Sequence, residues 1–172
     1  MHQKLTKTLF KLFTGELTAT IMFGGVWLLF LRMYEWANPY LTSFPPLYAF
    51  LFLEFLLLQG SYYWYLKWRQ AKHRDFTILP DYHLKFFRIL KRVNLFLIGA
   101  GFVLLIYESI NHSKAYYWTL FLYLFALAEY INYYYIRLSY QSVDEMKDFL
   151  RHRKLRRSKL AEELKQLKAI SQ

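Results

Sequence analysis

Residues 47–66 read LYAFLFLEFLLLQGSYYWYL. From Leu47 to Leu58 one charged side chain, Glu54, interrupts a run that is otherwise apolar and aromatic. The run lacks the one-sided apolar stripe of a surface helix, and a helix apolar all round is buried in a large core or in lipid. Twenty residues at about 1.5 Å each cover the roughly 30 Å of hydrocarbon in a bilayer. The stretch reads as a membrane span.

Three further stretches share this character: Leu17–Trp36 (LTATIMFGGVWLLFLRMYEW), Val93–Ile110 (VNLFLIGAGFVLLIYESI) and Ala115–Ile136 (AYYWTLFLYLFALAEYINYYYI). A chain of 172 residues cannot wrap four such helices in soluble protein. The sequence therefore predicts an all-α, polytopic integral membrane protein. Its four transmembrane helices lie at 17–36, 47–66, 93–110 and 115–136, with a cytoplasmic loop at 67–92. Amphipathic basic segments are expected at 1–16, in the central loop after Pro80 with Asp81 as cap, and at 137–172. Aromatic residues make up 22% of the chain, and their crowding at 62–68 and 133–140 fits the interfacial belt of membrane helices.

Charge sets the threading. Of 23 Lys and Arg residues, 21 lie before the first span, between the second and third, or after the fourth; Arg32 and Lys114 alone lie on the other side. The positive-inside rule places both termini and the central loop in the cytoplasm, with the protein in the cell membrane. The net charge of +11 then records topology and attraction to anionic lipid headgroups. It does not point to nucleic acid, since the basic residues are spread over three segments without a recognition motif.

In the tail, Ser142 and Glu145 have capping-box spacing, which predicts a helix of about 25 residues. Val143, Met146, Leu150, Leu160, Leu164 and Leu167 fall on heptad core positions, with Arg153 and Arg157 between them. The basic block Arg151, Arg153, Lys154, Arg156 and Arg157 suits anionic lipid or a partner.

Polar residues within the spans are the candidate site. Glu54 falls ~10–12 Å and Glu129 ~20 Å from the outer end of its span, counted at the helical rise. Intramembrane carboxylates face a bundle interior and suggest function. Arg32 is placed to reach toward Glu54, and Asn132 and Tyr133 share a helix face with Glu129. Thr20, Gly24, Gly25, Gly99 and Gly101 are the small residues expected where helices pack.

Catalytic chemistry is not visible. The chain has no Cys and no catalytic-serine, zinc-protease or phosphate-loop motif, and its five His residues lack metal-ligand spacing. No metal or cofactor is expected. The sequence points to a non-enzymatic accessory, sensor or regulatory subunit acting through a membrane-protein partner or a homo-oligomer. The alternative is a small transporter or channel-like oligomer using the intramembrane carboxylates for proton or cation coupling.

Overall fold

The computed structural model describes residues 2–111, 113–137 and 157–170, and within them the fold is helical throughout, without a strand. The elements are α1 (His2–Met33), a 3-10 turn (Glu35–Ala37), α2 (Asn38–Leu41), α3 (Phe44–Lys72), α4 (Asp81–Ile110), α5 (Tyr116–Tyr134) and α6 (Lys159–Ile170).

The first three long helices exceed the expected spans. α1 is one helix of 32 residues, so no separate interfacial helix precedes the first apolar run. Nothing in residues 2–16 breaks a helix once nucleated, and extension adds one hydrogen bond per residue fixed. α4 likewise begins at Asp81 and continues without a break to Ile110; Pro80 occupies the cap position expected of Asp81. Its first turns pack partly against α3. Leu84 and Phe87 are fully buried, and Phe87 meets Tyr62 and Tyr63 of α3. α3 starts at Phe44, with Pro45 and Pro46 in the first turn, where a missing N–H leaves no broken bond.

α1, α3 and α4 are each long and apolar enough to cross a membrane. This makes the protein an α-helical membrane protein. α5, at 19 residues with six tyrosines, is not among those three. α3 is the central helix: over half of its most apolar stretch is buried, against 6% for α1 and 17% for α4. The core gathers on α3 through Phe50, Leu53, Leu56, Leu57 and Tyr63, joined by Tyr123, Ala126, Tyr130 and Tyr134 of α5. α1 sends Trp27 into it, and buries Leu9 apart from it.

The loop after α3 is ordered by local bonds. Arg74 N–H donates to Ala71 O at 3.1 Å and Asp75 N–H to Gln70 O at 3.0 Å, the paired bonds that close a helix over a left-handed residue. Arg74 occupies that position with φ 58°, where glycine is the unstrained choice. Asp75 Oδ1 then accepts from the Thr77 amide at 2.9 Å and its hydroxyl at 2.7 Å. These bonds hold the exposed Asp75 carboxyl below its ordinary pKa.

The tail departs from the expected single helix. Arg157 pairs in an antiparallel bridge with Ile136, and α6 starts afresh behind Ser158. Ser158 Oγ accepts from Ala161 N–H at 3.1 Å and donates to the Tyr133 carbonyl, so residues 157–158 interrupt the run predicted from 142 onward. The capping pair Ser142 and Glu145, and Arg151, Arg153, Lys154 and Arg156, lie outside the described residues.

Candidate functional site

Gly60 sits where α3 and α5 touch. A Cβ there would overlap the Tyr133 ring, so glycine is what admits that ring. The ring passes across α3, and its hydroxyl donates to Glu16 Oε2 of α1 at 2.5 Å. One turn earlier on α5, Glu129 Oε2 accepts from Asn132 Nδ2 at 3.2 Å. The result is a polar seam of two carboxylates, an amide and a phenol joining α1 to α5.

A second network lies on the other side of α3. Gln59 and Asn94 form a reciprocal amide pair: Asn94 Nδ2 donates to Gln59 Oε1 at 2.8 Å, and Gln59 Nε2 donates to Asn94 Oδ1 at 3.1 Å. Tyr134 adds its hydroxyl to Gln59 Oε1 at 2.7 Å. All three residues are buried, so α3, α4 and α5 are tied by groups whose polar atoms have partners.

α6 closes this end of the bundle. Lys67 of α3 bonds Glu163 of α6 at 2.9 Å, Gln70 Oε1 at 3.1 Å and the Thr77 carbonyl at 3.0 Å. Leu160 and Leu167 are buried beneath α6. A cavity of about 300 Å³ lies between Leu5 and Leu9, the 75–78 loop and Glu163. The start of α1, the loop after α3 and α6 thus share one end of the bundle. The Tyr63 hydroxyl and Glu163 Oε2 are among the enclosed polar atoms without a hydrogen bond.

The chain matches no family model, no curated protein and no solved structure. Its function has to be read from this geometry.

The structure brings together part of the candidate site. Glu129, Asn132 and Tyr133 cluster as their helical spacing implies. Glu54 does not join them: it is half-buried on α3, and its Oε1 is enclosed without a hydrogen bond. Arg32 is exposed near the end of α1, and among the described residues no ion pair links it to Glu54. The small residues also divide. Gly101 packs against the Tyr123 and Tyr48 rings, and both hydroxyls reach α4 carbonyls, Tyr123 to Ile98 and Tyr48 to Leu97, each at 2.7 Å. Gly24, Gly25 and Gly99 meet open space, so among the described residues no helix packs on them. Thr20 returns its hydroxyl to the Glu16 carbonyl of its own helix. Arg157 lies in the bridge to Ile136.

Sequence reasoning missed Glu16, Gly60, Asn94 and the Lys67–Glu163 pair. Glu16 carried a signal, being the sole acidic residue among the first 34. Gln59 and Asn94 carried another, as amides inside apolar runs that need each other to be satisfied.

Proposed function

We propose that this chain is a four-span protein of the cell membrane with both ends and the 67–92 loop on the cytoplasmic side. It acts there as a non-enzymatic regulatory or accessory subunit through a membrane-protein partner or a second copy. The positions of 21 of 23 basic residues support the threading. α5 serves as the fourth span, since the hydroxyls of three of its six tyrosines, Tyr123, Tyr133 and Tyr134, bond inward.

One observation carries the regulatory reading. α6 is seated by a largely buried ion pair that leaves a carboxylate oxygen and a phenol unsatisfied. An enclosed polar group without a partner costs about 1–3 kcal/mol. α6 buries Leu160 and Leu167 as well, but the unsatisfied part of its seat is where a partner gains most, so α6 is the element a partner engages. Anionic lipid headgroups are the second contact of this face.

The test compares the full chain with a version ending at residue 156, purified in mild detergent. Loss of the partner or of the oligomer on truncation is expected. Identical assemblies for both, or a lone monomer for the full chain, would overturn the reading.

The Glu16–Tyr133–Glu129 seam favours a second reading, a proton- or cation-coupled carrier. On that reading Glu16→Gln and Glu129→Gln abolish pH-driven flux in proteoliposomes. Absence of flux in the unmodified protein removes it.

A further inference from the structure

We infer that the half of the bundle opposite α6 holds a binding slot for one acyl chain of a bilayer phospholipid, between α1 and α5. The inference rests on the membrane-spanning reading of α5 above.

α1 and α5 meet at Phe23 and Phe125, whose rings lie edge-to-face with centroids 5.7 Å apart. Beyond that contact the helices leave a cavity of about 240 Å³ with α3 as its floor. Trp27 stacks on Phe50 at 4.0 Å and 13°, which makes one wall a rigid aromatic plate. Trp118 of α5 lines the opposite side. A second cavity of about 240 Å³ shares Phe30, Leu41 and Trp118 with the first and runs out to Trp36 and Tyr40. Sharing those three wall residues, the two lie side by side, the first lined by Phe23 and Phe125 and the second by Trp36 and Tyr40, and together they make the slot.

The lining selects the occupant. No charged or amide side chain faces either cavity. A ligand with a buried carbonyl or hydroxyl would find nothing to bond there, and an unsatisfied polar group in such a place is costly. Water is excluded for the same reason, because dry apolar cavities do not hold it. From Phe23 to Phe30 the helix rises about 10 Å, a depth suited to the end of an extended hydrocarbon chain. The mouth carries Trp36 and Tyr40, the residue types that sit at headgroup level, where the ester end of that chain would rest.

The experiment titrates delipidated full-length protein in detergent with phosphatidylcholine brominated on its acyl chains and reads tryptophan fluorescence. Trp27, Trp36 and Trp118 line the slot, so quenching that saturates at one lipid per chain is expected. Val26 lines the slot and is partly open to lipid, so Val26→Phe fills it without entering the core. This variant should weaken the saturable phase about tenfold, the equivalent of ~1.4 kcal/mol. Leu28→Phe, on the outward face and lining neither cavity, should leave it unchanged. Quenching that rises without saturation, or equal titrations for Val26→Phe and the unmodified chain, would overturn the slot alone. Release of the protein from membranes by alkaline carbonate would overturn the membrane-spanning reading together with the slot.

Discussion

Two layers of the bundle solve the same problem by different means. The layer of Glu16, Gly60, Gln59, Asn94, Tyr133 and Tyr134 is fastened by hydrogen bonds. The layer of Phe23, Trp27, Phe50, Phe125 and Trp118 is fastened by rings and leaves a slot. Lipid gives apolar side chains no reason to prefer each other, so helices in membranes associate through close packing and polar contacts. The first layer has both, with glycine admitting a ring and amides closing on each other. The second has only dispersion between plates, which permits a gap. The molecule is thereby specific near α6 and yielding at its other end.

Gly60→Leu strikes the first layer hardest. The added side chain occupies the Tyr133 ring position, and overpacking of this kind costs about 1–3 kcal/mol. It also separates Tyr133 from Glu16. A loss of about 3 kcal/mol in unfolding from detergent micelles is expected, and a smaller effect than at any ring-layer site would break the contrast.

Asn94→Leu comes next. It leaves the buried Gln59 amide without its reciprocal partner, a cost of about 2 kcal/mol. The double variant with Gln59→Leu should recover part of this, because both amides are then gone. Additive losses in that cycle would show that the pair does not act as a unit.

Trp27→Leu tests the ring layer. The side chain stays apolar but loses its stack on Phe50, worth about 1 kcal/mol. A loss above that of Asn94→Leu would reverse the order of the layers.

The smallest effect belongs to the 73–80 loop. The Thr77 bonds are the main cause that depresses the Asp75 pKa, with smaller help from the Gln70 amide and the Lys67 charge. Its stabilising effect is complete above the unfolded value of about 4 and fades as pH falls through the depressed folded value. The Thr77 amide resonance should move across that acidic range, and Asp75→Asn should abolish the movement. An unchanged titration in Asp75→Asn would assign it to another group.

Much of this fold is legible in the sequence. All four apolar runs fall largely on helices of 19 residues or more, because runs of this length without proline favour helix over strand even where they contain glycine. Where helices begin was less legible: α1 and α4 run without a break through segments expected as separate amphipathic helices, and Leu84 and Phe87 of α4 are buried. The site was half legible. Glu129, Asn132 and Tyr133 are neighbours by helical spacing alone. Gln59 and Asn94 are 35 residues apart, and Tyr133 and Glu16 are 117 apart, so their pairing depends on how helices are arranged and not on any local pattern. Glu54 and Arg32 show the converse, since matching charges in adjacent spans do not fix facing rotations.

α1 has a mechanical consequence. It is an unbroken rod about 48 Å long at the helical rise, and its two buried apolar side chains sit well apart, Leu9 beside the α6 cavity and Trp27 in the wall of the slot. Between them, Glu16 is pinned to Tyr133. One continuous helix therefore carries both contacts, about 27 Å apart at the helical rise, so the element beside the α6 cavity and the wall of the slot are a single piece of backbone.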